Sequence, residues 1–378
     1  MLRHPDIAAT APAQKIPFAD LHAQYLSIKP QIDAAIADVI ATSAFVRGKH
    51  VLDFEAEFAA AIGTRHCVSC GNGTDALYLA MRALAVKAGD EVITSAHSWI
   101  STSETITQAG GSVVFCDTDI DTFTLDVARL ESLITPRTIG IIPVHLYGQP
   151  ADMDAIMALA CKHNLWVIED CAQAHLATFR GQQVGTFGIA STYSFYPGKN
   201  LGAMGDAGAI VTNDDALARK MAMLARHGGV IKGVHEIEGI NSRLDGLQAA
   251  ILSVKLPYLA GWTLRRQEIA AAYSSGLGNI GGIAVPVQAA HRQHVWHLYV
   301  IRHERRDELA RFLGSRGVQT VINYPVALPF VPAYARLKAR TEDFPNAHAN
   351  QSRILSLPVF AEMTQQQIDF VIDAIARF

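Results

Sequence analysis

Runs of like charge are missing from this chain, and so are long apolar stretches and regularly paired cysteines. Its 378 residues carry 32 Lys and Arg against 35 Asp and Glu, a net charge of −3. The signs are interleaved without a basic patch or an acidic tail, which makes nucleic acid and an anionic membrane poor partners. No apolar stretch reaches the roughly 18 to 20 residues of a spanning helix. The first sixteen residues lack a long apolar segment and a small-residue cleavage site, and read as a frayed tail, not a signal peptide. Five cysteines are scattered through the chain. Cys67 and Cys70 form a Cys-x-x-Cys, but inside an apolar strand and with no second pair to complete a zinc site. Buried thiols in the cytosol are the expectation. His4, His22, His163 and His291 show no ligand spacing, so no metal is expected. No Gly-x-Gly-x-x-Gly follows the first strand and no Gly-x-Ser-x-Gly elbow occurs, which argues against nicotinamide-dependent oxidoreductases and serine hydrolases.

What the chain does have is apolar surface, half of its residues against 18% charged. That suits a globular protein of about two domains with a large core. Strand and helix signals alternate from His66 onward. Strands are expected at His66 to Ser69, Glu91 to Ser95, Ser112 to Cys116, Thr138 to Val144, Leu165 to Glu169 and Ala209 to Thr212. Helical spacing lies between them, as in Asp152 to His163. This rhythm, with nearly continuous apolar strands, predicts an α/β fold built on a mostly parallel sheet covered on both faces. Ligands in such sheets bind outside the carboxyl ends of the strands, and Gly73, Trp99, His145 and Asp170 all fall there. Gly71-Asn72-Gly73-Thr74 couples a strand to a helix N-terminus, an arrangement suited to an anion, phosphate above all.

The pattern changes near Leu256, where Pro257 marks a break. A long helix to about Tyr273, a strand near His297 to Arg302, a helix from Arg306 to Leu313, a strand near Val318 to Ile322 and a helix after Thr364 read as a smaller α+β domain. The expected division is a tail at 1–16, a large domain at 17–255 and a small domain at 256–378. Within the first part, Asn213 is a candidate helix cap and Ser242 to Val254 reads as helical.

One stretch organises the rest: Tyr193-Ser194-Phe195-Tyr196-Pro197-Gly198-Lys199-Asn200-Leu201-Gly202-Ala203-Met204-Gly205-Asp206. Between Arg180 and Asp206, Lys199 is the one formal charge. Set among aromatics and glycines, a lysine in a partly dry pocket loses affinity for its proton, and the free amine then attacks carbonyls.

Taken together, several segments resemble the DegT/DnrJ/EryC1/StrS family of pyridoxal-phosphate-dependent sugar aminotransferases. They are Pro17-Phe18-Ala19-Asp20-Leu21, Gly71 to Leu77, Val144-His145-Leu146-Tyr147-Gly148-Gln149, Ile168-Glu169-Asp170-Cys171-Ala172-Gln173, the lysine loop, and Asn241-Ser242-Arg243-Leu244-Asp245. The resemblance implies a fold-type I large domain with a seven-stranded sheet, a small C-terminal domain and a homodimer. It implies pyridoxal 5'-phosphate as cofactor, with pyridoxamine 5'-phosphate as the form between half-reactions.

By the same resemblance, Lys199 would bond covalently to the cofactor aldehyde and then shuttle a proton. Asp170 would keep the pyridine nitrogen protonated. Gly73, Thr74 and Ser194 would hold the phosphate, Trp99 would stack on the ring, and Gln173 would face the ring hydroxyl. Asn241 would reach the phosphate of the neighbouring subunit. His145, Tyr196, Arg243, Asn323 and Tyr324 are expected to border the substrate, with Arg243 equally suited to an interface contact. L-glutamate is the implied donor and a nucleoside-diphosphate-linked keto sugar, aminated at C3, the implied acceptor. A 4-keto sugar, a keto-cyclitol or a non-catalytic regulatory role are the alternatives. Lys199 itself argues against the dehydratase-like relatives, which carry histidine there. Leu176, Ala207, Asn323 and Leu328-Pro329 depart from the usual family pattern, and they bear on the substrate pocket.

Overall fold

The computed structural model describes residues 15–231 and 233–378. Seven five-residue strands make the central sheet: β1 (His66–Cys70), β2 (Glu91–Ser95), β3 (Ser112–Cys116), β4 (Thr138–Ile142), β5 (Trp166–Asp170), β6 (Ala190–Ser194) and β7 (Gly208–Thr212). They are ordered β1-β7-β6-β5-β4-β2-β3. Only β7 runs against its neighbours, pairing antiparallel with β1 and β6; the remaining pairs are parallel.

The strands are apolar on both faces because both faces are covered. Helices α1 (Leu21–Ser27) and α2 (Lys29–Thr42) lead to α3 (Lys49–Ile62), which ends at Gly63 in a left-handed turn of φ 85°. Phe54, Phe58 and Ile62 of α3 pack with Tyr193, Ala209 and Val211. The opposite face takes α4 (Gly73–Ala83), α5 (Ser101–Gln108) and, beyond α6 (Met153–His163), α7 (Asp215–Leu224). There Val92, Ile142, Ile168 and Ile210 meet Leu77, Met81 and Met221. Their chain neighbours Ile93, Ile141 and Val167 point the other way, toward Met153 and Ile156 of α6. This is the two-residue period of a strand, with both phases buried.

Past α8 (Gly246–Lys255), a second core gathers around α9 (Leu259–Leu277), β8 (Tyr299–Arg302), α10 (Arg306–Ser315), β9 (Ile354–Leu357) and α11 (Gln365–Ala376). Tyr273, Tyr299, Leu313, Leu355 and Val371 are among its fully buried members. Thr364 and Gln367 close a reciprocal capping box at the start of α11.

Several local expectations are corrected. Residues 1–14 lie outside the described residues, but Ile16, assigned to the tail, is fully buried in the second core and bridges Val318. Asp214, not Asn213, caps α7; Asn213 Oδ1 instead accepts from the Arg65 N–H at 2.9 Å. The helix expected from Ser242 begins only at Gly246, because Ser242 bonds to Gly71 and Asp75. Residues 318 to 322 form no strand, only single bridges at Val318 and Val321.

Candidate active site

The carboxyl ends of β1, β2, β4, β5 and β6 face one side, and the loops leaving them carry the chemistry. The β5 tip places Asp170, 5% exposed, where Oδ2 accepts from Thr102 Oγ1 at 2.8 Å and Oδ1 from the Ala172 N–H at 3.1 Å. Burial pushes the Asp170 carboxyl pKa up, against the pull of these donors and of nearby Lys199 and His145. Beside it, burial lowers the Lys199 ammonium pKa to about 8, with Asp170 opposing the shift. At neutral pH roughly a tenth of such an amine is unprotonated and nucleophilic.

The loop from β1 into α4 is built for close backbone approach. Asn72 caps α4 by accepting the Asp75 N–H at 2.8 Å. The N–H groups of Gly73 and Thr74, in the first turn, have no helical carbonyl to bond. A Cβ on Gly73 would stand 2.8 Å from Ser194 Cβ. Glycine thus lets the helix N-terminus and the Ser194 hydroxyl stand side by side, a pairing that suits a phosphate group. Thr74 Oγ1 lies 2.7 Å from Ser101 Oγ.

The remaining predicted residues divide sharply. Trp99 is 58% exposed, its ring 5.5 Å from that of Tyr324. Gln173 is held at both ends, Oε1 by the Tyr147 N–H at 2.6 Å and Nε2 on Tyr324 Oη at 3.1 Å. Tyr147 in turn donates its hydroxyl to the Asn323 carbonyl, and Asn323 Oδ1 accepts from Ser356 at 2.9 Å. Asn323 and Tyr324 are thus joined to the rim of the sheet by a chain of hydrogen bonds. Tyr196, Asn241 and Arg243 are exposed; none of the described residues closes over them.

His145 does not border an open site. It is fully buried; Nδ1 accepts the Ala151 N–H at 3.0 Å, so the ring carries its hydrogen on Nε2, 3.1 Å from Glu169 Oε2. Glu169 also accepts from the N–H groups of Gly185, Phe187 and Gly188. Ligand atoms of His145, Glu169 and Cys171 lie within 4.8 Å of one another. Every carboxylate oxygen and both ring nitrogens of that trio are already engaged, so the group is a structural hub and not a cation site.

Thr102, the side-chain partner of Asp170, is a residue the sequence does not flag. A threonine in an alcohol-rich helix, Ser101-Thr102-Ser103, carries no pattern that singles it out. Only the fold brings it to a carboxylate 68 residues away.

A parallel sheet with one reversed strand, a helix N-terminus open to an anion and a half-buried lysine beside a strand-tip carboxylate define a pyridoxal-phosphate-dependent aminotransferase. The residues present fit that cofactor chemically: the α4 N-terminus beside Ser194 suits a phosphate, the Asp170 carboxyl a ring nitrogen, and the Lys199 amine an aldehyde. The DegT/DnrJ/EryC1/StrS aminotransferase family profile matches residues 26–376, and the chain belongs to that family.

Similar proteins include the dTDP-3-amino-3,4,6-trideoxy-α-D-glucose transaminase of Streptomyces venezuelae, 43% identical over 98% of both chains. Another is the UDP-N-acetyl-3-dehydro-α-D-glucosamine 3-aminotransferase of Acidithiobacillus ferrooxidans, 41% identical over 96% of this chain and 97% of that one. A protein of Geobacillus stearothermophilus named pleiotropic regulatory protein is 45% identical over 96% of this chain and 98% of that one. The crystal structure of S. venezuelae DesV in complex with a ketimine intermediate superposes with a TM-score of 0.94 at 44% identity, over 96% and 98% of the two chains.

Proposed function

We propose that this aminotransferase moves nitrogen from L-glutamate to a nucleoside-diphosphate-linked 3-keto sugar. The observation that carries the catalytic reading is the half-buried Lys199 amine, its pKa lowered to about 8, within electrostatic reach of Asp170. The acceptor follows the dTDP- and UDP-linked 3-amino sugars in the names of the Streptomyces and Acidithiobacillus relatives.

When bound, the cofactor supplies an aldehyde that exchanges nitrogen and a ring that takes up an electron pair from carbon. The chain supplies the rest. The Gly73 and Thr74 N–H groups, the positive end of α4 and the Ser194 hydroxyl bind the phosphate dianion. Trp99, exposed in the unloaded site, would cover one face of the ring. Asp170 holds the ring nitrogen protonated, and Thr102 and the Ala172 N–H orient that carboxylate. Lys199 would carry the proton from the substrate carbon to the cofactor carbon, and the reverse in the second half-reaction. Gln173 and Tyr324 border the ring hydroxyl. Asn241 and Arg243, exposed here, serve the site of a second subunit in a homodimer. All five cysteines are free thiols, which suits the reducing cytosol. No helix among the described residues is long and apolar enough to cross a membrane.

Reconstitution with pyridoxal phosphate, borohydride reduction and peptide mapping test the lysine: the label belongs on Lys199, and a label elsewhere overturns the assignment. Product mass spectrometry with 15N-glutamate and a panel of 3-keto and 4-keto nucleotide sugars tests the acceptor. Turnover of 4-keto sugars alone refutes amination at C3. A solely regulatory role, as the name of the Geobacillus relative suggests, requires that glutamate leave the reconstituted chromophore unchanged.

A further inference from the structure

A second lysine is buried behind the lysine loop. Lys255, the last residue of α8, is 3% exposed, and its Nζ donates to the Gly202 carbonyl at 2.8 Å. Glu362 is its charged neighbour, yet Glu362 Oε1 has no hydrogen-bond partner among the described residues. An ammonium buried against one carbonyl opposes folding unless other interactions compensate, so packing alone does not account for it. Burial accordingly lowers the Lys255 pKa to about 8.

Its position is more informative than its charge. Gln248, seven residues earlier on the same face of α8, grips the same loop: Oε1 accepts the Met204 N–H at 2.8 Å and Nε2 donates to the Met204 carbonyl at 3.3 Å. Gly202 is pressed against the outgoing limb so closely that a Cβ would meet the Pro197 oxygen at 2.2 Å. The Ala203 N–H bonds the Phe195 carbonyl at 2.8 Å, and the Lys199 N–H bonds the Tyr196 carbonyl at 2.8 Å. Lys199 therefore sits at a bend whose returning limb is tied to α8 at Gly202 and Met204.

We infer that Lys255 is a positioning residue for Lys199: with Gln248 it pins the returning limb of the loop and so fixes where the Lys199 amine stands relative to Asp170. This inference rests on the reading of Lys199 as the cofactor-binding lysine, but the tie itself exists without cofactor.

The test compares the full-length protein with Lys255→Met and Lys255→Arg. Amide hydrogen exchange over residues 196–206 is measured without cofactor, and the pH titration of the visible band after reconstitution. A hydrogen bond to a charged group is worth enough that its loss speeds local exchange about tenfold or more. Lys255→Met is expected to show that increase confined to the loop, with the titration midpoint displaced by about half a pH unit or more. Lys255→Arg, which keeps a cation and a donor, restores both. Parental exchange and titration in a folded Lys255→Met overturn the inference. Should that variant not fold, Gln248→Met is read the same way, and parental exchange in the loop overturns it equally. Loop loosening in the unloaded variant supports the tie even if the parent takes up no cofactor, an outcome that would instead sink the reading of Lys199.

Discussion

The Thr102 hydroxyl donates to Asp170 Oδ2 across 2.8 Å, from the first turns of α5 to the tip of β5. Both residues are nearly inaccessible, so the bond is not diluted by water. It stabilises the charged form of a carboxyl whose burial favours the neutral one. Thr102→Val removes the donor while keeping the shape. A hydrogen bond to a charged group is worth about 1.5–3 kcal/mol, so kcat should fall roughly tenfold to a hundredfold, with Thr102→Ser retaining most activity. Steady-state kinetics of the two variants check this.

The Lys199 amine must be neutral to attack an aldehyde. With its pKa lowered to about 8, the reactive fraction rises about tenfold per pH unit below that value and levels off above it. Stopped-flow absorbance on mixing unloaded protein with pyridoxal phosphate, from pH 6 to 9.5, should show a midpoint near 8. A midpoint at the ordinary lysine value would mean that the amine is solvated before the cofactor arrives.

Glu169 sits fully buried with four donors on two oxygens. Glu169→Gln turns one acceptor into an NH2 group facing N–H donors, which leaves at least two of them unpaired. The expected loss is about 3 kcal/mol or more of stability. Chemical denaturation of the unloaded protein measures it directly, and an unchanged midpoint contradicts the hub assigned to this residue.

Shared sites in a homodimer make a sharp prediction. Lys199→Ala and Asn241→Ala are each expected to be nearly inactive alone. Subunits exchanged at equal ratio form heterodimers with one site holding both wild-type residues, so about a quarter of the parental activity should return. No recovery after verified exchange argues that Asn241 serves its own subunit.

The sequence exposes what is periodic or chemically unusual. Strands such as Glu91–Ser95 and Ser112–Cys116 are short β-branched and apolar runs between turns, and their bounds match. Lys199 is conspicuous because charge is otherwise absent around it. Residues that act through partners far along the chain are different. Thr102, Lys255 and Gln248 look like ordinary helix residues, and their roles exist only once α5 and α8 are packed. Ser242 has acceptable helical neighbours, but its bonds to Gly71 and Asp75 hold it out of α8. His145 shows the converse: a histidine at a strand end suggests chemistry, and its two internal bonds make it framework.

Ile16 and Phe18 lie at the start of the described residues, yet their hydrogen-bonded and bridged partners lie at the second core. Phe18 bonds the side chain of Gln319, 301 residues downstream, while Ile16 bridges Val318. The strands from His66 to Thr212 pair across shorter separations. Closing the second core with a segment so distant along the chain costs more loop entropy than the central sheet's shorter connections do.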